Sequence, residues 1–436
     1  MSIKVAKFGG SSLANAAQFR RVKDILLSDC ERKYTVPSAP GRRFKDDDKI
    51  TDLLYRCFRL AQEGKSIDEC FAKIEQRYQE IITGLNLDLD LTGEFEEAKG
   101  RIIHDANPDY AASRGEYFNG IILAKYLGWD FIDAAEVIRF DKHGRFAADW
   151  TNDILSSRLK HHEHAVIPGF YGSFPDGSVK TFSRGGSDIT GAIVARGSAS
   201  DLYENWTDVS GLLSCDPRIV ENPQVIDFIS YAELRELAYM GASVLHESAI
   251  FPVKAAGIPI NIRNTNAPQD PGTMIQPSAG YRQDRPVTGI AGRKHFSTIL
   301  IEKDQMNETV GFGMHALEVL YHHGIQMEHI PTGIDTMSIV VPTHQLNPHR
   351  NEVLSLMRER LQANVTIHDE MSMIAVVGRG MVRQRGMAGR VFTALGNARV
   401  NVNLIDQGSG EFNIIIGVDT EDFEIAMQTL YNEFFR

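Results

Sequence analysis

The sequence predicts an α/β protein: a mainly parallel sheet sandwiched by helices, followed by two smaller βαββαβ units. Three observations carry this expectation. Short β-type runs alternate with longer helical ones from residue 1 to about residue 279, an order that places parallel strands in one sheet covered on both faces. A stretch rich in Pro, Gly and polar residues, 272–286, then breaks the alternation and reads as a boundary. Beyond it the chain runs through strand–helix–strand–strand–helix–strand and loosely repeats itself.

In the first part, residues 3–8 and 164–168 read as strands, and 16–27, 67–83, 111–126 and 189–197 as helices. After the boundary come strand 296–302, helix 310–323, strands 326–330 and 335–341, helix 345–361 and strand 365–367. The second copy has strand 373–377, helix 389–398, strands 402–405 and 412–418, and helix 423–434. It ends one strand short, and an unpaired sheet edge is a liability. The β-type run 287–291 (VTGIA) is predicted to fill the gap, which makes the first unit an insertion within the second. The expected domains are therefore 1–280, 296–370, and 371–436 completed by 287–291.

Composition narrows the function. A chain of 436 residues is too long for one ordinary core. Its 43 % apolar and 24 % charged residues are those of a soluble globular protein. A formal charge of −11 argues against nucleic acid, yet leaves room for a small anionic substrate in a locally basic pocket. The four cysteines lack metal-site spacing, so free thiols in a reducing cytoplasm are expected. No apolar run approaches the roughly 20 residues that span a bilayer, so no membrane partner is expected.

Four segments can carry chemistry. In VAKFGGSSL, from Val5 to Leu13, a strand ends in two glycines and two hydroxyl residues. Backbone N–H groups there can approach phosphate oxygens, with Lys7 supplying a cation. The segment fits neither a Walker loop nor a dinucleotide fingerprint, and alone it also reads as a plain strand–turn–helix corner. In TFSRGGSDITG, Thr181 to Gly191, Arg184 offers a planar fork for a carboxylate; Asp188 reads as a ligand-side residue or as a helix cap. The segment from Trp206 to Arg218 (WTDVSGLLSCDPR) suits nucleotide contacts at the carboxyl edge of a sheet, or is a turn with a surface Arg. Glu116, in ASRGEY, falls in what reads as the first turn of a helix, where the helix dipole alone favours an acid. His161, His162 and His164 lack the spacing of a zinc site and read as a solvated helix end; no protein-bound metal is expected.

Taken in order, KFGGSS, SRGE, SRGGSD, WTDVSG…DPR and the paired C-terminal units resemble the aspartokinases of the amino-acid-kinase family. The resemblance covers nearly the whole chain and stops short of an appended homoserine dehydrogenase, so a monofunctional enzyme is expected. It implies an amino-acid-kinase fold followed by ferredoxin-like ACT units. It further implies ATP-dependent phosphorylation of the L-aspartate side chain, on the way to lysine, threonine and methionine. By similarity Lys7 and Asp188 are catalytic, and Ser38, Thr51, Glu116, Arg184 and Ser187 bind aspartate. Lys7, Gly9, Gly10, Ser11, Thr207, Asp208, Leu213, Arg218 and Ser243 line the ATP site, with Mg2+ on the phosphates. The ACT units imply an amino-acid effector, lysine before threonine, and self-association into a homodimer or homotetramer. Glu308, Met314, Met327, Glu328 and Asp335 are the candidate effector residues, with Glu328 or Asp335 taking the effector's ammonium.

Four positions depart from the family pattern. Ser243, in GASVLH, stands where a second lysine is usual, and Leu213 where an aromatic is common. Gly410 replaces the second serine of a QGSSExN turn. The charged insert 42–49 (RRFKDDDK) reads as a solvated lid edge or a plain surface loop. Two other functions stay open at this point. One is a kinase of the same fold acting on glutamate, a carbamate or a nucleotide; the other is an amino-acid sensor without catalysis.

Overall fold

A computed structural model describes residues 2–105, 107–183, 185–242, 250–277 and 285–436. The chain divides into two compact units: Met1–Leu212 with Val225–Tyr231 and Val244–Ala279, and Leu213–Gln224 with Ala232–Ser243 and Gly280–Arg436.

The first unit is built on strands β1 (Lys4–Phe8), β2 (Arg32–Pro37), β3 (Asp130–Phe131), β4 (Ala165–Val166), β5 (Tyr171–Ser173), β6 (Val179–Thr181), β7 (Leu202–Thr207), β8 (Phe228–Ser230), β9 (Ile260–Asn264) and β10 (Thr273–Gln276). Eight of them form one sheet in the order β3–β4–β2–β1–β7–β9–β10–β8. Only the β9–β10 pair is antiparallel; β5 and β6 make a separate hairpin. β1 takes the middle because Val5, Ala6 and Phe8 are apolar and fully buried, as a strand covered on both faces requires.

The flanking helices carry their own start and stop signals. Asn15 caps the helix Ala16–Leu27, whose Phe19, Val22, Ile25 and Leu26 form the buried stripe. Helix Pro108–Leu127 starts on an Asn107 cap with proline at its first position and ends at left-handed Gly128. The insert 42–49 is less free than its charge suggests. Asp47 is buried and accepts from the Arg43 backbone N–H, the Arg43 guanidinium and Arg77 Nη2 at 2.6 Å. Those hydrogen bonds, Arg43 first, hold its carboxyl well below the usual range.

The second unit contains β11 (Gly289–Glu302), β12 (Thr336–Pro342), β13 (Asn364–Val377), β14 (Val402–Asp406) and β15 (Asn413–Asp419). They form one antiparallel sheet in the order β12–β11–β13–β15–β14. The sequence reading separates 287–291 from 296–302, and 365–367 from 373–377. In the structure each pair is one continuous strand of 14 residues. Gly289–Arg293 lies opposite Met373–Val377, and Thr298–Glu302 opposite Asn364–His368. Between these halves the ladder is interrupted at Arg293/Phe296 and Phe296/Thr298. His295 and Glu370 have positive φ there, a β-bulge arrangement that bends both strands.

Each half keeps its own core. One gathers Ile299, Ile301, Val319, Leu320, Ile339 and Met357; the other gathers Ile290, Ile374, Val391, Leu395, Ile416 and Leu430. The expected strand 326–330 does not form. Its residues make only bridges such as His329↔Val340, because Pro331 and Gly333 interrupt any ladder along β12.

Domain membership does not change in a single cut at residue 280. Cys215 and Val220 pack in the second core. The Glu233 carboxylate accepts from the Thr288 hydroxyl at 2.7 Å and the Arg379 N–H at 2.8 Å. Two pieces of chain before the boundary thus belong to the second unit.

Candidate active site

The carboxyl end of β1 is flanked in register by β2 and β7, with Lys7 opposite Val36 and Asn205. Lys7 is 7 % exposed. Its Nζ lies 2.6 Å from Asp188 Oδ1, which also accepts from Asn205 Nδ2 at 3.0 Å. Asp188 sits in the first turn of helix Gly186–Gly197, but the position before that helix is Gly185 in the left-handed region, with no side-chain cap. The capping reading of Asp188 is therefore corrected: its carboxylate is spent on Lys7 and Asn205. Gly186 is required by space, since a Cβ there would come 2.4 Å from Phe170.

After β1 the Gly9 N–H donates to the Trp206 carbonyl at 3.0 Å, and Gly10–Leu13 forms a 3-10 turn. A Cβ on Gly10 would lie 2.9 Å from the Ala39 carbonyl oxygen, and one on Gly41 2.6 Å from the Gly10 carbonyl carbon. The loops after β1 and β2 therefore touch backbone to backbone. A Cβ on Gly9 would make only ordinary contacts, at 3.6 Å, with Lys7 Nζ and the Trp206 carbonyl. Gly9 thus approaches the ammonium without crowding it. Ser11 is exposed, whereas the Ser12 hydroxyl meets Thr265 Oγ1 at 2.7 Å.

Ser38 donates its N–H to the Phe8 carbonyl, and its own carbonyl accepts from Asn119 Nδ2 at 2.6 Å. Thr51 is half-buried in the first turn of helix Ile50–Gln62. Glu116 lies well inside helix Pro108–Leu127 rather than in its first turn, so the dipole explanation for an acid there does not apply. It is 5 % exposed, and its Oε2 has no hydrogen-bond partner among the described residues. Burial pushes its carboxyl up to about 8, an effect that the Ala39 backbone, Lys7 and the Ser187 hydroxyl partly offset. Thr207 and Asp208 close β7, with the Thr207 hydroxyl donating to Asp208 Oδ1 at 3.2 Å.

Other expected residues lie apart from this group. Arg184 and Ser243 fall outside the described residues. Leu213 and Arg218 belong to the second unit, where the largely exposed Arg218 is held by Asp216 at 2.6 Å. Of the effector candidates, Glu308, Met314, Met327 and Asp335 are exposed. Asp335 Oδ1 accepts the Gln305 N–H at 2.8 Å. The Glu328 side chain is only 4 % exposed and is engaged by Tyr239 and Arg293, so it is already partnered inside the unit.

Sequence reasoning missed two positions, Asn205 and Asn119. Both are buried amides, Asn205 in ENWT on a strand and Asn119 in the largely apolar YFNGIIL of a helix. That placement is the signal, since a buried amide needs partners.

Residues 2–264 match the model of the amino acid kinase family, and residues 374–434 that of the ACT domain. The chain belongs to the amino acid kinase family. Within that family its relatives are aspartokinases: it is 38 % identical to aspartokinase 3 of Bacillus subtilis over 99 % of both chains. The crystal structure of Clostridium acetobutylicum aspartate kinase is 51 % identical, with a TM-score of 0.94 over 99 % of this chain and 100 % of that one. Escherichia coli aspartokinase III, solved with lysine and aspartate in its T-state, is 25 % identical with a TM-score of 0.75 over the whole of both chains. Among the described residues no helix is long and apolar enough to cross a membrane.

Proposed function

We infer that the protein is an aspartate kinase that moves the γ-phosphoryl group of ATP to the β-carboxylate of L-aspartate, giving ADP and 4-phospho-L-aspartate. The observation that carries the reading is the Lys7–Asp188–Asn205 group at the carboxyl end of β1, with the buried Glu116 carboxyl, whose Oε2 has no hydrogen-bond partner among the described residues, close enough to feel Lys7. It is supported by full-length likeness to aspartokinases.

The chemistry asks little covalent help of the chain. A β-carboxylate oxygen attacks phosphorus as the bond to ADP breaks, and negative charge spreads over the phosphoryl oxygens. Lys7, held by Asp188, meets that charge with a preoriented cation. Backbone N–H groups of Gly10 and Ser11 and the Ser11 hydroxyl face the phosphates, Gly9 gives its N–H to the Trp206 carbonyl and leaves room beside Lys7, and Thr207 and Asp208 take the nucleotide side. Glu116 takes the substrate ammonium, Arg184 its α-carboxylate, and Ser38, Thr51 and Ser187 the remaining polar edges. No three ligand atoms of His, Cys, Asp or Glu converge here among the described residues. The exposed oxygens of Asp208 therefore suit Mg2+ carried on the nucleotide rather than caged by protein. When bound, Mg2+ would neutralise phosphate charge.

The domains are the kinase unit up to about residue 280, less the segments Leu213–Gln224 and Ala232–Ser243, then 296–370, and 371–436 completed by 287–291, the last supported by the Gly289–Val377 pairing. Lysine is the effector, at the turn segments carrying Glu308, Met314, Met327 and Asp335, the last rather than the already partnered Glu328 taking its ammonium. The exposed apolar side chains of Val310, Met314, Tyr321 and Ile334 support self-association through the ACT units as a homodimer or homotetramer. The protein acts in the cytoplasm.

Trapping the acyl phosphate as hydroxamate tests the reading. Mg-ATP with aspartate should give product and glutamate little; absence of turnover with aspartate in the folded protein would sink it. Titration with lysine should lower the rate more than titration with threonine.

A further inference from the structure

His323, His349 and Glu352 lie in the first half of the five-stranded sheet unit. They bring one ligand atom each to within 4.8 Å of one another. His323 follows the last turn of helix Phe312–His322, and its Nδ1 meets the Val319 carbonyl oxygen at 2.7 Å. A carbonyl can only accept, so Nδ1 carries the hydrogen and the Nε2 lone pair is left for another partner. A ring nitrogen fixed by a backbone carbonyl is the usual support of a metal-binding histidine. His323 Nε2 stands 3.5 Å from Glu352 Oε2. That is close to the roughly 3.3 Å edge of a tetrahedron built on bonds of 2.0–2.1 Å. The His349 ring is 5.3 Å from that of His323, centroid to centroid. His349 ends the turn Asn347–His349 and Glu352 lies in the first turn of helix Arg350–Leu361, so the turn sets both. The neighbouring cation, Arg350, is engaged by Asp369.

We propose that His323 Nε2, His349 and Glu352 form a Zn2+ site that pins the end of helix Phe312–His322 to the start of helix Arg350–Leu361. Two imidazoles and a carboxylate suit a borderline ion such as zinc and disfavour Mg2+ and Ca2+, which take oxygen. Glu352 is 65 % exposed and His349 half-buried, so both side chains have room to adjust about an ion, and a water can fill the fourth position. The site rests on the fold alone and stands independently of the kinase reading.

The test uses the full-length protein, stripped with a chelator and dialysed against Zn2+. Wild type should retain one equivalent more than His349→Gln and Glu352→Gln variants. Co2+ in its place should give the visible absorption of a tetrahedral nitrogen–oxygen site, absent from both variants. Added Zn2+ should raise the melting midpoint of wild type by several degrees and leave His349→Gln unmoved, while hydroxamate formation without effector stays equal in all three. Equal uptake by wild type and both variants overturns the site, as does no uptake by wild type at micromolar free Zn2+; His323 and Glu352 are then a simple ion pair. Should His349→Gln fail to fold, Glu352→Gln carries the same comparison, because its side chain is mostly in solvent.

Discussion

Two ion pairs occupy neighbouring positions along β1 and its partners, and they are built differently. One joins Arg32 to Glu204 through two hydrogen bonds, at 2.7 and 3.1 Å. Arg263 and the Trp206 indole N–H also reach Glu204, at 3.6 and 3.0 Å. The two main partners are 5 % and 2 % exposed. The other joins Lys7 to Asp188 by a single contact, with Asp188 at 19 % exposure. The first is satisfied on all sides and has nothing left for a ligand. The second has one contact and leaves Asp188 partly open, the arrangement that the proposed role of Lys7 at the phosphates asks for. Charge at the middle of this sheet is thus fully enclosed in one place and partly open in the next.

Mutation should separate the two. Lys7→Met should lower kcat by about 10³-fold while the melting midpoint changes little. A drop in both, or in neither, would erase the contrast. Glu204→Gln should do the reverse. It leaves buried guanidinium groups without their counter-charge, at about 3–5 kcal/mol, seen as a lower midpoint in urea with kcat per folded molecule unchanged.

Asn205→Ala tests whether Asp188 needs its second partner. Losing a hydrogen bond to a charged group is worth about 1.5–3 kcal/mol. Here it should appear as a tenfold or larger fall in kcat, estimated from that range, with an unchanged KM for ATP.

Glu116 gives a pH signature. Its carboxyl titrates near 8 in the folded protein against an ordinary value of 4.5. Raising the pH from 6.5 to 9 should therefore charge the ammonium site and lower KM for aspartate. Glu116→Gln should flatten that dependence and raise KM throughout. The same shift has a sign for stability. Between 4.5 and about 8 the unfolded chain ionises this group first, so wild type loses stability as pH rises. Glu116→Gln escapes that loss and should melt no lower than wild type at pH 9. The smallest effect belongs to Gly9→Ala, which fits at ordinary contact distance. It should fold normally and raise KM for ATP a few-fold by partly covering Lys7 Nζ; a large loss of stability would show that the Gly9 backbone, rather than open space, is what matters.

Much of this was legible in the sequence, and the reasons differ by residue. β1, the helix Ala16–Leu27 and the glycine turn at 9–10 announce themselves through local period and turn chemistry. Lys7 and Asp188 could be named as partners in function because their motifs are short and ordered. That Asn205 holds Asp188 could not, since the contact depends on β7 lying in register beside β1. The zinc candidates were equally invisible: His323 and His349 are separated by a strand, and only the packing of two helix ends brings them together. The expected strand at 326–330 failed because its apolar period outweighed the Pro331 and Gly333 that stop it. The insert 42–49 looked solvated because charge density says nothing about which carboxylate will find two arginines.

The long strands β11 and β13 run the full span of both ACT halves, so these halves are not two sensors on a flexible tether. They are joined by both strands, and the ladder between those strands is interrupted at the bulges around His295 and Glu370. A change of twist at those bulges would turn one half against the other. Loosening the bulge with His295→Gly, which accepts the positive φ but adds backbone freedom, should therefore weaken the link between the halves and leave the core of each intact.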